Sequence, residues 1–285
     1  MPGGSPTVRR RRLGQVLREL RTRAGVSGDQ AGAIIERSGS WISRLEAGRV
    51  GVRLVDLRVL LELYGLTDAH RREELEDLAR EGQQRGWWSK YADALPESYS
   101  LYIGLETEAT SQLIYQNSVV PGLLQTESYC RAAIQQGLAP LERPDPAIVE
   151  KRVSARIRRQ DLLERQDPPR LSVVLEESVL RRSIGGRDVI RLQISRLIDV
   201  ARMPFVTLRL IPFAKTDQII LTTPFTVLSF VEDPDLVYLE TATGGVYEHE
   251  DEVQLYRNIF EQLLRASLDA EATVAALREA QEGLA

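Results

Sequence analysis

The groups of this 285-residue chain that could do chemistry are 41 carboxylates, 37 basic side chains, two histidines and one cysteine. Their spacing argues against catalysis. With only His70 and His249, a three-histidine metal site is impossible. Cys130 alone can form neither an internal disulfide nor a thiolate zinc cluster. His249-Glu250-Asp251-Glu252 lacks the second histidine of a zinc protease helix, because Val253 stands there. Gly185-Gly186 and Gly244-Gly245 are isolated turn pairs, and neither a phosphate-loop string nor a Gly-x-Ser-x-Gly elbow occurs. The carboxylates are numerous, but no spacing selects a pair. The sequence therefore predicts no enzyme, no metal and no cofactor.

Arginine is the informative residue. Residues 1–66 contain twelve arginines and six acids, whereas the remainder holds 25 basic and 35 acidic residues. A basic head on an acidic body suits a polyanion-binding segment joined to one that avoids polyanions. Trp87, Trp88 and Tyr91 concentrate aromatics in a chain that is only 6% aromatic. They read either as a stacking site for a small ligand or as an anchor clamping the linker.

The elements that must position these groups follow from periodicity. With 43% hydrophobic residues a packed core is expected, and the length suits about two domains. No stretch reaches the roughly 18 apolar residues of a membrane span, and the first residues lack the apolar region of a signal peptide. A cytoplasmic, nucleoid-associated protein is expected. Residues 1–8 read as a disordered tail and 9–81 as a helical head. Leu13, Val16, Leu17, Leu20 and Ala24 form the stripe of a first helix from about Arg10, stopped by Gly25. Ser27 and Gln30 make a capping box for a second helix carrying Ala31, Ile34 and Ile35. Ser38 opens a third, through Trp41, Ile42, Leu45 and Glu46 to Gly48. A fourth covers about Val55 to Tyr64, with Leu57, Leu60, Leu61 and Tyr64 inward, and Thr67 caps a polar fifth.

The stretch from Gly25 through Ser38-Gly39-Ser40-Trp41-Ile42-Ser43-Arg44-Leu45-Glu46-Ala47-Gly48 resembles the Xre-type helix-turn-helix of phage repressors. That resemblance implies that the third helix, about 38–47, lies in the major groove of double-stranded DNA. Ser40, Trp41, Ser43 and Arg44 would then read bases, with Arg44 able to fork onto guanine O6 and N7. Trp41 either meets a thymine methyl or sugar or packs beside the first helix. Gly28, Ser38, Gly39, Arg49 and Arg53 would meet phosphates, and Arg10 and Arg11 either join them or form an ordinary solvated helix start. Arg21 and Glu46 match a structural ion pair linking the first and third helices. One departure stands out: Glu36-Arg37 occupies the turn where glycine is usual, which suggests a longer second helix.

Residues 82–285 read as one α+β body. Leu101 to Gln116 is predicted helical, with Leu105, Ala109 and Leu113 on one stripe. A Pro121-Gly122 turn leads into a helix with Tyr129 and Ala133, and another follows over about 147–165. Leu171 to Leu175 and Phe205 to Ile211 read as parallel strands joined by a helix through Ile190, Ile194 and Leu197. Phe225 to Val231 and Leu236 to Glu240 add two strands, and two helices close the chain. Gly86-Trp87-Trp88, Leu105-Glu106-Thr107-Glu108-Ala109, Val120-Pro121-Gly122-Leu123-Leu124-Gln125-Thr126, Arg159-Gln160, Glu177 with Leu180-Arg181-Arg182, Pro212-Phe213 and Tyr238-Leu239-Glu240 resemble the C-terminal domain of actinobacterial antitoxin-like Xre regulators, the WhiJ-like group. Membership would imply a body with no assigned chemistry that binds a small companion protein encoded nearby.

The whole reads as an all-α Xre-type helix-turn-helix domain followed by a larger α+β domain. The expected function is a sequence-specific transcriptional regulator, a homodimer on a pseudo-palindromic operator. One alternative is a one-component repressor sensing a small molecule near Trp87, Trp88 and Tyr91. A second is an interaction protein whose head no longer binds DNA, for which Gly39 argues and Arg44, Arg49 and Arg53 argue against.

Overall fold

The computed structural model describes residues 5–138, 145–215, 223–241, 244–249 and 251–284. The chain divides into two units, Met1–Lys90 with Ser100–Glu108, and Tyr91–Tyr99 with Ala109–Ala285.

The first unit begins with helix α1 (Pro6–Arg23), followed by α2 (Gly28–Ile34), α3 (Gly39–Glu46), α4 (Leu54–Leu63) and α5 (Ala69–Gly82). Helix α1 starts four residues before the expected Arg10. Pro6 presets the helical φ at its first position, and the Ser5 hydroxyl accepts the Thr7 amide at 3.3 Å. Ser5, Pro6, Thr7 and Val8 are buried, so residues expected in the tail belong to the helix. The Ser27–Gln30 capping box is formed, with bonds of 2.8 and 3.2 Å. Helix α5 is capped by Asp68 rather than Thr67, its carboxylate accepting the Arg71 amide at 2.8 Å. Leu13, Leu17, Ala31, Ile42, Leu45, Leu57, Leu60, Leu61 and Leu75 form the core. Ile34, expected inward, is 54% exposed, because the helix turns away after Ala31 and Ile35 takes the buried place.

The turn between α2 and α3 corrects another expectation. Helix α2 stops at Ile34, and Glu36 takes the left-handed conformation itself, at φ +56°. The turn therefore keeps its shape without glycine, at a conformational cost of about 1–2 kcal/mol.

The expected break after Glu81 lies inside this unit, which continues through a short 3-10 helix (Trp87–Tyr91) and takes in most of α6 (Glu97–Glu106). Trp88 is the reason. Its ring covers Gly86, where a Cβ would lie 2.3 Å from it, and also Gly104, at 2.9 Å.

The second unit is built on a sheet in the order β3-β2-β1-β4-β5-β6. Its strands are β1 (Ser111–Gln116), β2 (Arg170–Glu176), β3 (Val206–Ile211), β4 (Phe225–Ser229), β5 (Leu236–Thr241) and β6 (Gly244–His249). The first three run parallel, and β4 to β6 add antiparallel pairs beyond β1. Strand β1 overturns the helix expected through Gln116. Helix α6 ends at Glu106, and Ser111–Gln116 pairs on both sides, with β2 and β4. A strand central to the sheet and buried on both faces shows no clean alternation, so its short apolar run is compatible with either element.

The alternate faces of the strands feed two cores. Ile114, Val173, Leu175, Leu208 and Leu210 pack with Leu123, Leu124 and Tyr129, with Ile190, Ile194 and Leu197 of α10 (Arg187–Val200), and with Leu277 of α12 (Ala270–Glu282). On the other face Tyr115, Val174, Phe225, Val227 and Val237 meet Val253, Phe260 and Leu263 of α11 (Asp251–Ala266). A third cluster, Cys130, Ile134, Val149 and Val153, joins α7 (Glu127–Leu138) to α8 (Pro146–Arg159). A four-residue helix, α9 (Ser178–Arg181), follows β2.

Candidate nucleic-acid interface

Helix α3 presents a mixed surface. Ile42 and Leu45 are buried at 1% and 2% exposure, which turns Ser40, Ser43 and Arg44 outward at i, i+3 and i+4 spacing. Ser38 caps the helix, its hydroxyl accepting the Trp41 amide at 3.2 Å and lying 2.8 Å from the Ser40 hydroxyl. The Ser43 hydroxyl donates to the Gly39 carbonyl at 3.2 Å. Trp41 is half-buried against the core, and the Arg37 guanidinium stands over its ring at 5.6 Å. Trp41 thus packs within the head while part of its ring stays exposed.

Gly39 has a specific reason to lack a side chain. A Cβ there would lie 2.0 Å from the Asp29 carboxylate and 3.1 Å from the Asp29 amide nitrogen. Asp29, exposed on α2, thereby occupies the space that a side chain at the first position of α3 would use. Asp29 and Arg37 are the residues a reading of α3 alone passes over. Their signal in the sequence was indirect, a glycine at a reading position and a charged pair in the turn.

Three contacts fix α3 on α1. Arg21 Nε and Nη2 donate to the two Glu46 carboxylate oxygens at 2.6 and 2.9 Å, and Nη1 donates to the Val26 carbonyl at 2.9 Å. The side chains are 18% and 8% exposed, so the fork is largely withdrawn from water. The carboxylate raises the Arg21 pKa further, and burial together with Glu46 pushes Tyr64 up to about 12. Gly14 lets α1 cross the end of α3, since a Cβ would lie 2.4 Å from the Glu46 carbonyl oxygen. Gly48 is left-handed at φ +69°, and its Cβ would lie 2.6 Å from Arg11 Cα.

The phosphate candidates are placed unevenly. Gly28 is the first residue of α2, and Ser38 and Gly39 open α3. Arg49, just past Gly48, is exposed. Arg53 is exposed but forks onto Asp56 at 2.8 and 2.9 Å, which raises its pKa. Arg10 and Arg11 are corrected. Arg11 is 6% exposed, turned inward beside the close approach of Gly48. Arg10 is half-buried against Gly82, where a Cβ would meet its Cγ at 2.9 Å, and burial lowers its pKa. Both lie inside α1 beside the close approaches of Gly48 and Gly82, which withdraws them from solvent.

Trp87 and Trp88 meet edge to face, with centroids 5.9 Å apart at 85°. Trp88 is 7% exposed and fills space within the first unit, whereas Tyr91 belongs to the second. The packing of Trp88 fits the anchor reading. Among the described residues no group of three or more His, Cys, Asp or Glu is placed to hold a metal, and no helix is long and apolar enough to cross a membrane.

Two comparisons fall on these two parts. A helix-turn-helix domain model matches residues 12–75, which hold α2, the turn, α3 and the Arg21–Glu46 fork. The model of a domain of unknown function (DUF5753) matches residues 99–279, which hold the six-stranded sheet. No curated protein and no solved structure was found to match the chain. The head is thus a DNA-binding helix-turn-helix domain, and the chain belongs to the family defined by the domain of unknown function that makes up most of its length.

Proposed function

We propose that the protein is a sequence-specific transcriptional regulator of the Xre type that reads DNA with α3 in the major groove. The observation that carries this reading is the outward face of α3. Ser40, Ser43 and Arg44 are exposed together on a helix held in place by a buried fork and two close glycine contacts. A recognition helix needs that combination of free polar side chains and a fixed axis. Arg44 has a guanidinium available for bidentate contact with guanine. Ser40 and Ser43 read or position nearby, and Arg49 contacts phosphate. The carboxylate of Asp29, beside Gly39, accepts from the amino group of a cytosine or repels a misplaced phosphate.

The regulator acts as a homodimer on a pseudo-palindromic operator, with half-sites about one helical turn apart. Its body serves as the platform for dimerisation or for a small companion protein, as the resemblance to the actinobacterial antitoxin-like, WhiJ-like group implies. No catalytic role is assigned to it. The test compares Arg44→Ala with Arg49→Ala on a library of randomised sites. Arg44→Ala should relax preference at one base position, at about 1–3 kcal/mol, while Arg49→Ala should weaken every sequence alike. Uniform loss for both variants would remove Arg44 from base reading.

A further inference from the structure

The second unit contains a cluster of arginines outside the helix-turn-helix head. Arg152, Arg156 and Arg159 stand at i, i+4 and i+7 on α8 and so share one face of it. The Arg156 and Arg159 guanidinium carbons lie 5.9 and 5.3 Å from the centre of the Tyr99 ring. Arg159 also donates to the Tyr99 hydroxyl, and Arg156 Nη1 donates to Gln125 Oε1 at 3.3 Å. Gln160 Nε2 donates to the carbonyls of Gly122 and Gln125 at 3.2 and 2.7 Å, holding that loop against the end of α8. Gly122 packs against the cluster, since a Cβ there would lie 3.1 Å from Arg159 Nη1 and 3.5 Å from Arg156 Cδ.

Two of these cations lack a carboxylate of their own. Neither Arg152 nor Arg156 has a carboxylate partner among the described residues, and Arg156 Nε is buried without a hydrogen-bond partner. Burial and the neighbouring charge of Arg156 together lower the pKa of Arg152. Desolvating guanidinium groups without a counter-charge is unfavourable, and an anion reverses the sign of that term. Arg159 and Gln125 are buried, at 6% and 2% exposure, while Arg152, Arg156 and Gly122 are half-exposed.

We propose that this arginine cluster binds the oxyanion group of a small molecule, a carboxylate or a phosphate, with Arg156 as its principal ligand. A guanidinium suits either group. Arg152 adds charge one turn away, and Gln125 and Tyr99 hold Arg156 in position. The inference does not depend on how the head reads DNA.

The test is thermal unfolding of the full chain, without DNA, in inorganic phosphate or in succinate, against chloride at matched ionic strength. A saturable rise in Tm is expected, with apparent affinity about tenfold weaker in Arg156→Gln and unchanged in Arg49→Gln, which reports any phosphate held by the head. Preference for phosphate over succinate would assign a phosphorylated ligand, and the reverse a carboxylate. Arg152→Gln, one turn from Arg156, is the second variant should Arg156→Gln fail to fold, with affinity weakened about threefold. No saturable rise with either anion, or a rise that survives Arg156→Gln and Arg152→Gln, would overturn the proposal.

Discussion

Gly25 and Gly48 separate two causes of a fixed recognition helix. Both are left-handed, at φ +68° and +69°. A Cβ on Gly25 meets nothing within 4 Å, whereas one on Gly48 meets Arg11 Cα at 2.6 Å and Arg11 N at 2.8 Å. Gly25→Ala should thus lose only the conformational term, about 1 kcal/mol. Gly48→Ala adds a backbone-against-backbone clash that no rotamer relieves, for a further 1–3 kcal/mol or about 2–4 in all. The three tryptophans, Trp41, Trp87 and Trp88, all lie in the first unit, so tryptophan fluorescence during urea unfolding of the full chain reports on the head. The midpoint should fall further for Gly48→Ala than for Gly25→Ala, and operator binding should weaken with it as α3 loses its seat on α1. Equal midpoints would refute the claim that the approach of Gly48 to Arg11 sets the position of α3.

Further outcomes follow from the same unit. Glu46→Gln leaves Arg21 with the Val26 carbonyl but no charge partner, and should cost about 1–3 kcal/mol, less than a fully buried pair because Arg21 retains some solvent; a double-mutant cycle with Arg21→Met measures the coupling. Glu36→Gly releases a left-handed non-glycine residue and should raise stability by up to about 1 kcal/mol in urea titrations, with base preference unchanged. Tyr64 has a folded-state pKa above its ordinary value, so its contribution is complete below pH 10 and is lost as pH rises through about 12. The loss should be about 1–2 kcal/mol after allowance for solvent screening, and Tyr64→Phe should flatten that alkaline limb of the stability curve.

The head was legible because its signals are local. Ser27 with Gln30, Ser38, Gly25 and Gly48 mark helix ends by hydrogen bonds and φ values that the residue types themselves impose. Arg21 and Glu46 were found through a resemblance, and the largely buried fork gives that match a physical basis. Arg10 and Arg11 were misplaced because a run of four arginines looks solvated until the start of the helix is known. Pro6 is the available signal that the helix begins before the arginines and holds them within it. The body was legible where strands alternate, as in Val206, Leu208 and Leu210. It failed at Ser111–Gln116, where burial arises from partners about 60 and 115 residues away and where the Leu105, Ala109, Leu113 stripe continues a helical period by coincidence. Strand β6 went unread because its Gly244-Gly245 start reads as a turn, and its pairing with β5 is a tertiary fact. Trp87 and Trp88 were noticed for their chemistry, but the glycines beneath Trp88, at 86 and 104, are what decide its role.

The central claim, that α3 reads a defined DNA sequence, is tested most directly by selecting genomic fragments with the purified full-length protein at two salt concentrations. A recurring two-fold motif that survives at the higher salt is the predicted result, since base contacts persist when counterion release is suppressed. Binding with no motif that collapses steeply with salt would contradict it and reduce the head to a non-specific polyanion binder.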